Sequence, residues 1–318
     1  MTEPASINTP LPWQQQSWLL LQQLMADKRL PHAVLFTGMP GTGKQQFAYA
    51  FARLLLCQQP VDGLNCGHCH GCELSRVGNH GDLKVIQPEP KSRVIKVDQV
   101  RALVAFANQR ANFGERKVVL LTPAESLNIN AANALLKCLE EPSENTYMLL
   151  LSHRPNRLPA TVRSRCQLYK LPVPDAEQSL NYVLGVTGDR PQSEQLLELA
   201  NGQPVTAADL YVGDGGAEGV LATQSLLQQV RSGQADPLGA AQELKELSTE
   251  QLLSALIIAL QQHIRALPPL SLAGTHCRQA FDLLDETTEL QRALEAGANP
   301  NAQLSADRLL IALATVGR

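Results

Sequence analysis

A short glycine-rich segment carries the most specific chemistry in the sequence. Gly38 to Gln45 reads Gly-Met-Pro-Gly-Thr-Gly-Lys-Gln, whereas a complete phosphate-binding loop reads Gly, four residues, Gly-Lys and then Ser or Thr. In such loops backbone N–H groups surround a phosphate and the lysine reaches its outer oxygens. Gly38, Gly41, Gly43 and Lys44 are therefore the candidate phosphate-binding residues.

Two parts of an ATP-hydrolysing site are missing. Gln45 occupies the place of the hydroxyl that normally holds Mg²⁺. The apolar run 118–121 is followed by Thr122 and Pro123, where hydrolysing proteins carry acidic residues, and Glu125 comes two residues late and is expected to point elsewhere. We predict that this degenerate loop binds ATP or ADP weakly or not at all, and that the chain does not hydrolyse ATP.

Four of the seven cysteines stand close together, with eight, two and two residues between them. They are Cys57, Cys66, Cys69 and Cys72. Two overlapping Cys-x-x-Cys turns and one further thiolate are typical of a tetrahedral Zn²⁺ site. Four thiolates complete the coordination shell, so the predicted zinc is structural rather than catalytic. Four unrelated thiols and a redox role are the alternatives. His68 and His70 lie inside the turns and are predicted to face solvent.

An arginine pair follows the fourth apolar run of the chain. Arg163 and Arg165 belong to the segment 160–166. A fixed guanidinium at a surface corner can stabilise the charge that builds on a transferring phosphoryl group. The alternative is a solvated basic corner or an ordinary salt bridge, which composition alone favours.

Short apolar runs alternate with helical patterns in the first half of the chain. The predicted strands are 33–37, 83–86, 117–122, 147–152 and, more weakly, 167–169. The predicted helices between them are 12–28, 44–56, 97–108 and 130–140. This alternation predicts a parallel α/β sheet. Beyond the proline-rich segment 171–174 only helices are predicted, with a second linker at Asp214-Gly215-Gly216.

Length and charge limit the classes of function. A chain of 318 residues is long enough for two or three domains. Its net charge of −3 gives no general attraction to nucleic acid, and only Arg53 and Arg76 lie near the cysteines. The sequence shows no secretory signal and no membrane-spanning run, so we expect a cytoplasmic protein.

Several motifs together carry a family resemblance. Leu30-Pro31-His32-Ala33 precedes the loop, Asn133-Ala134-Leu135-Leu136-Lys137 leads into Leu139-Glu140-Glu141-Pro142, and Ser164-Arg165-Cys166 follows. With the four cysteines, these motifs resemble the delta-prime family of bacterial DNA polymerase III clamp-loader subunits, which are AAA+ proteins.

The resemblance implies a function. Clamp loaders of this kind are rings of five related subunits that use ATP to open the sliding clamp and place it on primed DNA. A delta-prime subunit shares the hetero-pentamer with the gamma/tau ATPase subunits and the delta subunit, usually without hydrolysing ATP itself. By this resemblance Arg165 acts in trans at a neighbour's ATP site, the four cysteines hold zinc, and Val205 replaces the lid arginine of the ATPase relatives.

The resemblance also implies three domains. Residues 1–171 form an AAA+ domain with a zinc module at about 57–72, residues 172–213 a helical lid, and residues 214–318 a helical collar. Two rival functions stay open. An ATP-hydrolysing loader subunit would need metal binding by Gln45 and a displaced acid. A zinc-dependent nucleic-acid binder would use the fold as a scaffold.

Overall fold

The structure is a computed structural model of the chain. It describes residues 9–89, 92–212, 216–268, 274–295, 298 and 300–316. Asp214 and Gly215, which belong to the second predicted linker, lie outside the described residues. None of the described helices is both long enough and apolar enough to cross a lipid bilayer.

A five-stranded parallel sheet organises the first half of the chain, as predicted. The strands are β1 (Ala33–Thr37), β2 (Leu83–Ile86), β3 (Lys117–Leu121), β4 (Thr146–Ser152) and β5 (Gln167–Lys170). Their order across the sheet is β2-β3-β4-β1-β5. Every residue of β1 and β3 is buried, because strands of a parallel sheet carry helices on both faces.

Helices cover both faces of this sheet. The helices of this half are α1 (Gln15–Ala26), α2 (Lys44–Leu56), α3 (His70–Arg76), α4 (Val97–Ala107), α5 (Ile129–Glu140), α6 (Ala160–Arg163) and α7 (Ala176–Thr187). Of these, α1 and α2 pack on one face of the sheet, and α4, α5 and α6 on the other. Side chains alternate along each strand, so Val34 and Phe36 join the core under α1 and α2. Leu35 packs into the opposite core, with residues of α4 and α5.

The second half of the chain is helical, as predicted. Its helices are α8 (Arg190–Leu199), α9 (Pro204–Val212), α10 (Gly216–Arg231), α11 (Pro237–Glu243), α12 (Thr249–Ala266), α13 (Thr275–Glu295) and α14 (Ala302–Val316). Helices α10 to α14 share one apolar core, which contains Leu227, Leu256 and Leu310. Among the described residues after β5 there is no further strand.

The chain divides into two compact units. The first covers the described residues up to Gly188 together with Gln203–Thr206, and the second covers Asp189–Gly202 and the described residues from Ala207 onward. The three-domain division drawn from the resemblance stays a prediction.

Candidate functional site

The glycine-rich loop connects β1 to α2, which is the position that a phosphate-binding loop requires. Gly43 adopts a left-handed backbone at φ 83° and directly precedes the first residue of α2. A Cβ atom at Gly43 would collide with the side chain of Leu11, and one at Gly41 would collide with Thr206 and Gln203. Glycine is therefore required at both positions by backbone geometry and by close packing.

Lys44 is turned inward. Its side chain is buried, and its ammonium donates a hydrogen bond to the carbonyl oxygen of Met39, inside the same loop. The Thr42 hydroxyl donates to the same oxygen over 2.8 Å. Burial lowers the pKa of Lys44 to about 8, although the negative charge of Glu125 acts in the opposite direction. The loop lysine thus has an internal acceptor and a nearby internal anion.

Residues far away in sequence hold the loop in place. The Trp13 indole Nε1 donates to the carbonyl oxygen of Thr42 over 3.0 Å, and the Gln14 amide Nε2 donates to the carbonyl oxygens of Thr42 and Gly43 over 3.1 and 3.0 Å. The backbone N–H of Val205 donates to the carbonyl oxygen of Gly41 over 3.1 Å. No pattern in the sequence predicts the contacts made by Trp13 and Gln14.

The expectation that Glu125 points away from the glycine loop is wrong, because its negative charge acts on Lys44. Its Oε1 accepts hydrogen bonds from the backbone N–H groups of His153 and Arg154, over 3.0 and 3.2 Å. Its Oε2 is buried and has no hydrogen-bond partner among the described residues. Burial lowers the pKa of His153, the charge of Lys44 lowers it further, and Glu125 opposes both effects.

The four predicted zinc ligands come together. Their sulfur atoms all lie within 4.8 Å of one another. The Sγ atoms of Cys57 and Cys69 are 3.9 Å apart, as are those of Cys66 and Cys72. A tetrahedron with Zn–S bonds of about 2.3 Å has edges of about 3.8 Å. The cluster therefore fits Zn²⁺, bound by four thiolates.

Local backbone geometry shapes this cluster. Cys57 directly follows α2, Cys72 lies in α3, and the other two cysteines lie in the segment between these helices. The backbone N–H of Cys66 donates to Sγ of Cys57 over 3.2 Å, and that of Cys69 donates to Sγ of Cys66 over 3.3 Å. His68 and His70 are exposed and stand outside the cluster.

The cluster also favours the thiolate form at one ligand. Burial acts to raise the pKa of Cys69, but backbone N–H groups of Gln58 and Cys72 and the neighbouring thiols outweigh this effect and lower the pKa to about 6. By contrast, burial raises the pKa of Cys57. A thiolate at Cys69 is suited to bind the metal, because metal ligation requires deprotonated sulfur.

Arg53 connects the metal module to the helix that follows the loop. It lies in α2, is only 1% exposed, and donates from Nη2 to the carbonyl oxygen of Cys72 over 3.2 Å. Burial lowers the pKa of its guanidinium, while the sulfur charges of Cys72 and Cys57 oppose this shift. In the sequence Arg53 is one of two basic residues near the cysteines, and no local pattern predicts its burial.

Arg165 stands on the turn between α6 and β5, fixed by a carboxylate and a carbonyl group. Its Nε donates to Oε1 of Glu140 over 2.8 Å, and its Nη1 donates to the carbonyl oxygen of Thr161 over 3.0 Å. The side chain remains 35% exposed. Arg163 turns to other partners, the carbonyl oxygen of Pro155 and the Asn156 side chain.

Arg165 and the glycine loop lie at opposite ends of the strands: Arg165 precedes β5, and the loop follows β1. Gln167 pairs with Val34, so Arg165 is level with His32, whereas the loop begins at Gly38 beyond the other end of β1. From 32 to 38 the chain advances about 20 Å, at about 3.3 Å per residue. The structure does not bring Arg165 together with the loop of its own chain.

Comparison with known proteins identifies the family. The family model described as "DNA polymerase III, delta subunit" matches residues 13–175, about half of the chain. The DNA polymerase III subunit delta' of Escherichia coli is 36% identical over 255 residues, which are 79% of this chain and 76% of that protein. The chain belongs to the delta-prime family of DNA polymerase III subunits.

Further relatives agree with this delta-prime assignment. The subunit delta' of Pseudomonas aeruginosa is 47% identical over 202 residues, 63% of this chain and 61% of that protein. The match thus spans about three fifths of the length of that relative.

A solved structure supports the fold of this delta-prime chain. A DNA polymerase III gamma subunit-related protein from Thermotoga maritima superposes with a TM-score of 0.65 and 19% identity, over 95% of this chain and 99% of that one. At this level of identity the likeness concerns the fold, and it confirms the predicted fold class.

Proposed function

We propose that this delta-prime chain is a non-hydrolysing member of the DNA polymerase III clamp loader, acting in the cytoplasm. It joins gamma/tau ATPase subunits and a delta subunit in a hetero-pentamer that loads the sliding clamp onto primed DNA. Arg165 supplies the positive charge for ATP hydrolysis at the site of a neighbouring subunit. The observation that carries this proposal is the position of Arg165. Its side chain is fixed and partly exposed at the amino ends of the strands, whereas the glycine loop of the same chain lies at their carboxyl ends.

Arg165 has the features of an arginine that acts in trans. A guanidinium placed at a transferring phosphoryl group stabilises the charge of the transition state, and such an arginine raises the rate by about 10³ to 10⁵. Glu140 and Thr161 limit the number of conformations of the side chain while leaving part of it exposed. Preorganisation of this kind reduces the cost of ordering the arginine in the active complex.

The glycine loop of this chain has lost groups that ATP hydrolysis needs. Gln45 stands where a metal-binding hydroxyl is required, and Thr122 and Pro123 follow β3 in place of acids. Val205, the counterpart of a lid arginine by resemblance, is buried and contacts Gly41 through its backbone. These losses support an architectural role for the loop domain.

Zinc has a structural role in this proposal. Cys57, Cys66, Cys69 and Cys72 would hold the ion with four thiolates, which leaves no open coordination position for water or substrate. The ion would supply cross-links between the end of α2 and α3.

The structure weakens both rival functions. For an ATPase, Glu125 would have to act as the displaced acid, yet its Oε1 already accepts two backbone hydrogen bonds. For a zinc-dependent nucleic-acid binder, the basic residues near the cysteines would have to reach phosphates. Arg53 is buried, which leaves only Arg76 exposed of that pair.

The test is the DNA- and clamp-stimulated ATPase activity of the reconstituted assembly. Arg165→Ala is expected to lower turnover at least about a hundredfold, because the positive charge at the neighbouring ATP site is lost together with the contacts to Glu140 and Thr161. Arg163→Ala is the matched control and is expected to retain most of the turnover. The chain alone should show no activity. Hydrolysis by the chain alone, with little effect of Arg165→Ala in the assembly, would contradict the proposal.

A further inference from the structure

Three loops meet at the carboxyl edge of the sheet, where the glycine loop lies. Strand β4 lies between β3 and β1. Ser152, the last residue of β4, pairs with Thr37, the last residue of β1. His153 therefore leaves the sheet beside Gly38, and its backbone N–H binds the carboxylate of Glu125. In this way the loop after β3 places a negative charge at the start of the glycine loop.

The two oxygens of this carboxylate have different surroundings. Oε1 is fixed by the N–H groups of His153 and Arg154, whereas Oε2 is buried and accepts no hydrogen bond within the part of the chain that the structure describes. A buried carboxylate oxygen without a donor is unfavourable unless a positive charge lies nearby. The side chain of Lys44 passes beside Gly38, 3.5 Å from the position that a Cβ atom of Gly38 would occupy, so its ammonium is the positive charge on that side of Glu125. Glu125 accordingly acts to raise the pKa of Lys44.

Several polar groups of the glycine loop are already hydrogen-bonded to other groups of the same chain. Lys44 donates to the carbonyl oxygen of Met39, as the Thr42 hydroxyl also does. Trp13 and Gln14 donate to carbonyl groups of the loop. A bound polyphosphate would have to draw Lys44 away from Met39 and would bring several negative charges close to Glu125.

We propose that Glu125 replaces the nucleotide phosphate as the anion that faces Lys44, and that it keeps the glycine loop free of nucleotide. Its carboxylate offsets the charge of the loop lysine and repels a polyphosphate that approaches the same place. This inference rests on one part of the proposed function, the non-hydrolysing role of the glycine loop. It concerns nucleotide binding by the isolated chain and does not depend on the role of Arg165.

The experiment measures binding of a fluorescent ADP or ATP analogue to the full chain, with Mg²⁺ at pH 7.0. Glu125→Gln removes the charge but keeps the size of the side chain and the oxygen that accepts hydrogen bonds. We expect it to tighten binding about tenfold, which corresponds to about 1.4 kcal/mol. Glu144→Gln removes an exposed charge elsewhere and is expected to leave the affinity unchanged. Lys44→Ala added to Glu125→Gln should abolish the gain.

Two outcomes would overturn the inference. Equal affinity of the unmodified and Glu125→Gln chains, including no detectable binding to either, would show that Glu125 does not exclude nucleotide. Weaker binding after Glu125→Gln would mean that the carboxylate helps to hold the Mg²⁺ nucleotide, as the ATPase rival requires. Neither outcome depends on turnover of the assembly, so a failure here is distinct from a failure of the Arg165 proposal.

A second variant covers the case in which Glu125→Gln does not fold. Glu125→Asp keeps the negative charge but withdraws it by one methylene group from Lys44. We expect it to bind the analogue more tightly than the unmodified chain does, but by less than tenfold. An affinity equal to that of the unmodified chain would then count against the inference.

Discussion

The guanidinium of Arg53 donates from Nη2 to the carbonyl oxygen of Cys72, 3.2 Å away, in the buried contact between α2 and α3. Its Nε donates to the hydroxyl of Ser75 over 3.3 Å. Helix α2 begins at Lys44 and ends before Cys57, so one helix leads from the glycine loop to the metal module. Four thiolates around one Zn²⁺ have a net charge of about −2. The buried guanidinium of Arg53 therefore offsets part of the negative charge of the zinc–thiolate cluster.

Replacing Arg53 is expected to weaken zinc binding. Arg53→Met keeps much of the apolar stem but removes the charge and the donors to Cys72 and Ser75. Groups that support metal ligands typically contribute a factor of about 10 to 100 in metal affinity. Competition with a chromophoric chelator gives the dissociation constant. Arg76→Met, an exposed charge in the same module, is the control and should bind zinc normally. Equal affinities of the two variants would contradict the electrostatic role of Arg53.

Removing the metal is expected to unfold the module locally. The only buried cluster found in it among the described residues consists of the cysteines themselves, so little apolar packing remains without zinc. We expect chelation, or Cys72→Ser, to speed amide hydrogen exchange in residues 57–76 while β1 and β4 remain protected. Hydrogen exchange with mass spectrometry measures both regions at once. Full protection of 57–76 after verified zinc removal would show that the metal is dispensable for this structure.

Local sequence patterns predicted the sheet and most of the candidate site. The strands were recognisable because β1 and β3 are buried on both faces and therefore read as continuous apolar runs. The four cysteines were recognisable because knuckle turns fix the spacing of the ligands. Helix α3 is not predicted because its seven residues contain a single large aliphatic side chain, Leu74, and give no amphipathic period.

Contacts between distant residues were not predictable from such patterns. Gln14 reaches Gly43 across 29 positions of the chain, and Glu125 reaches His153 across 28. The contact of Glu125 depends on β3 and β4 being neighbours in the sheet, and that of Gln14 on how the segment before α1 packs against the glycine loop. Local patterns predict neither arrangement. The burial of Arg53 is of the same kind, because its partner Cys72 belongs to a module inserted after α2.

The packing of the glycine loop makes Gly43 sensitive to substitution. In Gly43→Ala the new methyl group would collide with Leu11, and the left-handed backbone would be strained. We expect a loss of about 3 kcal/mol in the free energy of unfolding, from strain and overpacking together. Gly67 has a similar φ of 79° but open space around it, so Gly67→Ala should lose only about 1 kcal/mol. Urea unfolding of the zinc-loaded proteins measures both values, and equal losses would show that the contact with Leu11 is unimportant.

The pKa of Lys44 predicts a pH dependence of stability. In the folded chain burial lowers this pKa from 10.5 to about 8. Between these two values the unfolded chain binds more protons at Lys44 than the folded chain does, so the contribution of Lys44 to stability rises with pH. Below about pH 8 the lysine is charged in both states, and burying its charge lowers the stability of the folded chain.

Comparison with Lys44→Met isolates this contribution, because the other titrating groups are the same in both chains. The free energies of unfolding in urea are measured at pH 7.5 and 9.5. We expect the value of the unmodified chain, relative to that of Lys44→Met, to rise by about 2 kcal/mol between the two pH values. A constant difference would mean that Lys44 titrates alike in the folded and unfolded chains. Lys44 would then not be the buried ammonium that bonds to Met39 and faces Glu125.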